Sequence, residues 1–196
     1  MSYLKTKIPF AIWEGRYQPM HNGHLLYVKR MLESADRLLL VVLANEVSAD
    51  FPAGTSPRPA FTDEVDKHHG SEKNPFPLWL RLMIVQSVLR ESLSCQEAGR
   101  VFVSAGHRMD LDPLFYKQHL LPSQGVFLTP TRDTYEDSKA SFWDALNRDC
   151  ARIDVSNLPD ISATEVRSAM ANQSEAELDR LLPAAAQRLL REYGYT

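Results

Sequence analysis

The hydrophobic and polar positions change period several times along the chain. Apolar runs without alternation, at 8–13 and 38–44, are typical of parallel strands that are covered on both faces. Between them, residues 23–35 carry apolar side chains at helical spacing, which predicts a strand-helix-strand unit. The same change of period recurs downstream. It predicts strands at 101–104, 125–128 and 152–155. It also predicts helices at 77–94, 112–121 and 140–148, a helix that ends near residue 171, and a last helical stretch at 175–193.

Strands that alternate with helices imply an α/β fold with a doubly wound parallel sheet of about five strands, followed by C-terminal helices. The length of 196 residues suits a single domain. Two stretches, 45–74 and 129–150, are predicted as long inserted loops, and both follow strands. The acidic and histidine-rich stretch 63–69 lacks specific metal-ligand spacing, so a solvated loop explains it as well as a metal site does.

The charge, the cysteine spacing and the length of the apolar runs argue against several classes of function. Hydrophobic residues make up 44% of the chain and the net charge is −3, so nothing global indicates binding to long nucleic acid. Cys95 and Cys150 lack a metal-ligand or redox spacing and are predicted to be reduced thiols in a cytoplasmic protein. The first residues do not resemble a secretion signal, and the longest apolar run is too short for a membrane span.

The stretch 15–24, which reads Gly-Arg-Tyr-Gln-Pro-Met-His-Asn-Gly-His, leads from the first strand into the first helix. Strand ends face the ligand crevice in α/β folds, and a helix N-terminus attracts anions. His21 and His24 are three residues apart, so they share a helix face and are suited to bind phosphate. Gly23 has no side chain and lets the backbone approach a phosphate. Taken alone, the histidines are also compatible with a simple helix cap.

A second stretch, Ile161-Ser162-x-Thr164-x-x-Arg167, opens a later helix. Ser162 and Glu165 have the spacing of a capping box, so an ordinary helix start explains the pattern when it is taken alone. A capped N-terminus with two hydroxyl groups and an arginine one turn later is also suited to bind a triphosphate. The two interpretations are compatible.

Together, in this order, the two stretches resemble the signatures HxGH and ISxTxxR of the HxGH nucleotidylyltransferase superfamily. The extended stretch 15–24 is similar to the GRFQPxHxGH form of nicotinamide-mononucleotide adenylyltransferases of the archaeal type, including those fused to Nudix domains. Residues 74–76, Asn-Pro-Phe, are similar to the NPF segment of that family. Residues 106–110 are similar to the GHxxD stretch of the Nudix-fused branch.

The resemblance implies a Rossmann-like domain that uses ATP with Mg²⁺ and joins AMP to nicotinamide or nicotinate mononucleotide, with release of pyrophosphate. It assigns residues to three roles, with no protein-held metal. Phosphate contact and transition-state stabilisation fall to His21, His24 and Arg16; nucleotide binding falls to Gly15, Tyr17, Gly23, Ser162, Thr164 and Arg167; acceptor binding falls to Asn74, Phe76, Trp79, His107 and Asp110. Helix packing for Trp79, and loop fixing for His107 and Asp110, are alternatives.

Two departures from the family pattern leave the acceptor open. The connections 45–73 and 129–157 are longer than the family usually has, and the second contains extra material, at 131–139, that the resemblance does not account for. A cytidylyltransferase that acts on a small phosphate or phosphonate acceptor therefore stays an alternative, as does a non-catalytic nucleotide sensor. The expected partners are ATP and a small phosphorylated acceptor, with no long nucleic acid and no membrane, and self-association into a homo-oligomer is left open.

Overall fold

The computed structural model describes residues 7–44, 71–108 and 113–195. Its strands are β1 (Ala11–Gly15), β2 (Leu38–Leu43), β3 (Val101–Gly106), β4 (Val126–Pro130) and β5 (Cys150–Ile153). All neighbouring strands pair in parallel, in the order β3-β2-β1-β4-β5. This confirms the predicted α/β class with a doubly wound sheet of five strands.

Helices fill the crossovers and follow the last strand. They are α1 (Asn22–Ser34), α2 (Leu78–Ser92), α3 (Cys95–Ala98), α4 (Pro113–Phe115, continued by a π-helical turn at Tyr116–Leu120), α5 (Thr134–Ala145), α6 (Ala163–Ala171), α7 (Glu175–Leu181) and α8 (Ala184–Glu192), with a 3₁₀ turn at Ser71–Lys73. The predicted C-terminal helices are thus present. Within the described ranges, no helix has both the length and the apolar character that a membrane crossing needs.

Alternate residues of β1 face two separate hydrophobic cores. Ala11 and Trp13 belong to the core that α1, α2, α7 and α8 cover, whereas Ile12 belongs to the core under α4 and α5. The period of two along a strand places Glu14 on the same face as Ile12. A carboxylate therefore occupies a position where a doubly covered strand normally carries an apolar side chain.

The strand order reverses between β1 and β4. The chain adds β2 and β3 on one side of β1, and β4 and β5 on the other. A crevice forms outside the carboxyl ends of the strands at such a switch point, and ligands of open α/β sheets bind there. The residues that follow β1, at 16–24, and those that follow β4, at 131–139, are therefore neighbours in space.

Some predicted boundaries were wrong for identifiable reasons. The first strand was predicted at 8–13, but Pro9 has no N–H to donate, so only an isolated bridge forms at Ile8 and β1 begins at Ala11. Residues 129–150, predicted as an inserted loop, contain the end of β4, all of α5 and the start of β5. The last helical stretch, predicted at 175–193 with a new turn that starts at Pro183, consists of two helices, α7 and α8, which are separated at Pro183. Most of the other predicted loop, at 45–70, and the stretch 63–69 lie outside the described residues.

Candidate active site

A cavity of about 370 Å³ opens at the carboxyl ends of β1 and β4. The N-cap residues of three helices line it: His21 of α1, Asp133 of α5 and Ser162 of α6. The free N–H groups and the dipoles of three helix N-termini favour an anion at this position. The cavity therefore has the location and the polarity of a phosphate site.

His21 and His24 cap each other at the start of α1. The backbone N–H of His24 donates to Nδ1 of His21, and the backbone N–H of His21 donates to Nδ1 of His24, each at 3.3 Å. The two rings are stacked, with their centroids 3.7 Å apart. Because Nδ1 accepts in both rings, the proton of each neutral imidazole must reside on Nε2. The cap thus fixes both side chains as Nε2–H donors, and both line the cavity.

Both imidazoles are held in the neutral form. Burial, together with the charge of Arg132, lowers the pKa of His21 to about 3. Burial lowers the pKa of His24 well below its ordinary value, and His21, Lys139, Arg132 and Arg16 lower it further. At neutral pH the pair therefore offers two hydrogen-bond donors without a positive charge.

The glycines of this stretch keep space for neighbouring rings. A Cβ on Gly15 would lie 3.0 Å from the ring of Tyr17, which is buried beside Trp13 and His24. A Cβ on Gly23 would lie 3.1 Å from the His21 ring and 3.2 Å from Cβ of Ile161. Gly15 and Tyr17 line the cavity, whereas Gly23 lies beneath His21, where it lets the two signature stretches pack together.

The second signature stretch forms the opposite wall. The Ser162 hydroxyl accepts from the backbone N–H of Glu165, and the Glu165 carboxylate accepts from the backbone N–H of Ser162, so the predicted capping box is present. Arg167 donates to the backbone carbonyl of Gln18 at 3.0 Å and to the Thr164 hydroxyl at 3.3 Å. Ser162, Thr164 and Arg167 all line the cavity.

Arg16 connects the cavity to the predicted acceptor segment. Its guanidinium donates to the Asn74 side-chain oxygen at 3.3 Å. The Gln18 amide forms two hydrogen bonds with the backbone of Phe76: it donates to the carbonyl at 3.2 Å and accepts from the N–H at 3.0 Å. Arg16 lines the cavity, while Asn74 and Phe76 are buried behind it. The segment 74–76 is thus fixed to the first signature stretch.

Two further predicted acceptor residues, Trp79 and His107, lie away from the cavity. Trp79 is 48% exposed on α2 and packs edge-to-face against Tyr193, with the ring centroids 5.0 Å apart. His107 follows β3, two strands away from β1, and is half-buried. Neither is among the described residues that line the cavity. Asp110 lies outside the described residues, so its role stays a prediction.

Sequence reasoning missed the residues that α5 and its cap supply. Arg132 forms an ion pair with Asp160 at 2.6 Å and hydrogen-bonds the Tyr27 hydroxyl. Lys139 is buried and pairs with Glu136 at 2.9 Å. Burial lowers the pKa of Lys139, but the negative charges around it, led by Glu136, outweigh burial and leave the pKa above its ordinary value. Two signals could have identified this segment: the capping pattern Asp133-x-x-Glu136 and its position after β4.

Three carboxylates, of which only Glu14 is buried, partly balance the cations of the cavity. Glu14 lines it and accepts a hydrogen bond from the Tyr116 hydroxyl at 2.7 Å. Glu136 pairs with Lys139, and Asp133 caps α5 by accepting from the N–H of Glu136. Within the part of the chain that the structure describes, no group of three or more His, Cys, Asp or Glu residues could hold a metal ion. These few carboxylates would suit a divalent ion that is held mainly by the phosphates of a bound nucleotide, since Mg²⁺ usually binds through one or two carboxylates together with substrate phosphates.

Comparison with known proteins agrees with this architecture. The family model for cytidylyltransferase-like proteins matches residues 12–169, which contain β2 to β5, all of β1 except its first residue, and both signature stretches. The solved structure of a bifunctional NMN adenylyltransferase/ADP ribose pyrophosphatase from Francisella tularensis is similar with a TM-score of 0.57 and 16% identity, over 96% of this chain and 54% of that one. A second structure of such a protein from the same organism, in complex with AMP and a manganese ion, gives a TM-score of 0.52 at 16% identity, over 96% of this chain and 53% of that one.

The chain spans about half the length of these solved structures, and at this identity the likeness concerns the fold. The family match covers the larger part of the chain and confirms the superfamily that the HxGH and ISxTxxR signatures predict. The chain belongs to the cytidylyltransferase-like family of HxGH nucleotidylyltransferases.

Proposed function

We propose that the protein transfers AMP from ATP to nicotinamide or nicotinate mononucleotide and releases pyrophosphate. The observation that carries this proposal is the arrangement of the cavity, in which two neutral Nε2–H donors lie between cationic side chains at three helix N-termini. The extended stretch 15–24 and the fixed segment 74–76 favour the mononucleotide acceptor.

In the proposed reaction, an oxygen of the acceptor phosphate attacks the α-phosphorus of ATP. The bond between that phosphorus and the oxygen bridging to the β-phosphate breaks, and pyrophosphate leaves with the electron pair. A phosphate monoester is nucleophilic at neutral pH, so no general base is needed. The protein aligns two anions that repel each other and stabilises the charge on the transferred group.

Each side chain has a role that follows from its position. His21 and His24 donate Nε2–H groups to the oxygens of the reacting phosphorus, where charge is redistributed. Ser162, Thr164 and Arg167 bind the β- and γ-phosphates that leave. Arg16, held toward Asn74, binds the acceptor phosphate. Mg²⁺ enters with ATP as part of the substrate and neutralises phosphate charge.

Arg132 and Lys139 extend the cationic surface from α5. Lys139 stays protonated at neutral pH because nearby negative charges raise its pKa. Its ammonium adds positive potential beside His24. A triphosphate needs this positive potential because the two histidines are themselves neutral. Both residues therefore belong to the proposed nucleotide site.

A pyrophosphate-release screen tests the proposal. ATP, CTP, GTP and UTP are combined with each mononucleotide and with small phosphate or phosphonate acceptors, and products are identified by mass spectrometry. The expected result is release with ATP and a mononucleotide, lost in His24→Ala and kept in His119→Ala, which alters an exposed histidine outside the cavity. Preference for CTP, or inert mononucleotides, would reject the substrate assignment, and binding without turnover for every pair would favour a sensor.

A further inference from the structure

Arg81 occupies a position where the pattern of α2 calls for an apolar residue. It lies three, four and seven residues before Ile84, Val85 and Val88, which are all fully buried, so it belongs to the core face of the helix. Its own side chain is 1% exposed. A charged residue that breaks the local pattern in this way indicates a functional constraint.

The guanidinium of Arg81 joins three separate backbone segments. Nε donates to the carbonyl of Phe76 at 3.0 Å, and Nη1 donates to the carbonyl of Leu43 at 2.7 Å and to that of Arg16. Leu43 is the last residue of β2, Arg16 follows β1, and Phe76 ends the segment that the family resemblance assigns to the acceptor. One planar side chain thus fixes the ends of both strands relative to the segment 74–76.

This arrangement carries a cost that packing alone does not explain. Transferring a cation from water to the interior is unfavourable unless hydrogen bonds to its N–H groups compensate, and an apolar side chain could fill the same volume. Burial, followed by the charge of Arg16, lowers the pKa of Arg81 to about 10, so the side chain stays charged at neutral pH. The charge is retained directly behind the arginine that faces the cavity.

We propose that Arg81 is a positioning residue, which holds the backbone of Arg16 and the segment 74–76 in the geometry that acceptor binding and alignment require. It acts through the carbonyls of Arg16 and Phe76 and touches no substrate. The proposal rests on the proposed function in one respect, namely that the cavity transfers a nucleotidyl group to an acceptor.

Arg100 provides a matched control within the same chain. Its guanidinium also donates to three backbone carbonyls, those of Leu32, Ala35 and Asp36. These carbonyls lie at the C-terminal end of α1 and just before β2, near the amino ends of the strands. The cavity lies at the carboxyl ends of the strands. Arg100 therefore repeats the bonding of Arg81 in a place where it cannot align the acceptor segment.

The test compares Arg81→Lys and Arg81→Met with Arg100→Lys and Arg100→Met. Lysine keeps the charge, but a single ammonium lacks the planar fork that reaches three carbonyls. Steady-state kinetics use the nucleotide and acceptor pair that wild type prefers in the screen. We expect both Arg81 variants to raise the acceptor KM and lower kcat, with kcat/KM for the acceptor down about 10- to 100-fold. The nucleotide KM should stay within about threefold, and the Arg100 variants should match wild type in all parameters within the same margin.

Wild-type acceptor kinetics in Arg81→Lys would overturn the proposal, as would equal losses in the Arg81 and Arg100 variants. If Arg81→Met fails to fold, Arg81→Lys decides the outcome. If wild type transfers no nucleotide, the proposed function fails, and amide hydrogen exchange then tests the positioning role separately. Faster exchange at the Phe76 N–H in Arg81→Lys than in Arg100→Lys would support it, and equal exchange would reject it.

Discussion

Acidification should destabilise this protein through His21. The folded state keeps this imidazole neutral with a pKa of about 3, against an ordinary value of 6.5. Above pH 6.5 neither the folded nor the unfolded state binds a proton at this residue. Below pH 6.5 His21 is protonated in the unfolded chain but stays neutral in the folded state. The free energy of unfolding therefore falls until the pH reaches about 3.

The magnitude follows from the same two pKa values. One pKa unit corresponds to about 1.4 kcal/mol, so His21 alone should lower the free energy of unfolding by about 2 kcal/mol between pH 7.5 and 5.0. The residue is 1% exposed, so solvent screening reduces this value little. For a protein of ordinary stability, such a loss is a large fraction of the total.

The perturbation that isolates this effect is His21→Asn. Asparagine does not titrate and is a good N-cap residue, so α1 keeps a capped start. Urea unfolding of wild type and variant is measured at pH 7.5 and 5.0 at constant ionic strength, with His119→Asn as the exposed control. Titrating groups away from His21 contribute equally to both proteins. Burial, the largest cause of the low pKa of His24, is kept in the variant, so the difference between the two pH dependences reports mainly on His21.

Wild type should lose about 2 kcal/mol more than His21→Asn between the two pH values. A difference below about 0.5 kcal/mol would mean that the folded protein protonates His21 at pH 5, and the inference of a neutral donor pair would fail. Control variant His119→Asn should follow wild type.

Three further predictions concern the cavity. His24→Ala should lower kcat at least about 100-fold through lost transition-state stabilisation, measured by pyrophosphate release with folding checked by circular dichroism; near-normal turnover would refute its role. Gly23→Ala should lower kcat/KM about tenfold, because the new Cβ presses on the His21 ring and on Ile161, and unchanged kinetics would contradict this. Lys139→Met should weaken pyrophosphate binding about tenfold by calorimetry, with Arg188→Met, a surface ion-pair variant, as the unaffected control.

Periodicity and turn chemistry were sufficient to predict most of the fold. The buried parallel strand β2 has a strong signal because it lacks alternation, and the edge strand β3, which is largely part-buried, was also predicted with close boundaries. The helix α5 was placed too late because its first turn is polar and charged, and its capping pattern, Asp133 to Glu136, was not weighed against that composition. Local sequence thus predicts an element's existence better than its ends.

The two halves of the site were predictable for a different reason. His21, His24, Ser162 and Arg167 stand in short patterns whose chemistry is tied to helix starts. The contributions of Arg132 and Lys139 were not predictable, because a cation in a charged segment is usually solvated, and whether it faces the cavity depends on the strand order. The reciprocal cap of the histidines was equally hidden, since it requires the geometry of the first turn.

Burial of polar groups gives an independent indication of where this protein acts. Burying a polar or charged side chain costs free energy unless the structure satisfies it, so such residues are retained where they serve a purpose. Among the described residues, nine polar or charged side chains are buried. Six of these nine line the cavity or fix the segments that form it, and they come from both sides of the switch point: Glu14, Gln18, His21, Asn74, Arg81 and Lys139. Two of the six, Glu14 and Arg81, lie at positions where the pattern of their element is apolar, and neither belongs to a recognised signature. Apolar side chains at these positions would stabilise the same core, so core stability does not explain the buried charges, whereas a role in forming the cavity does.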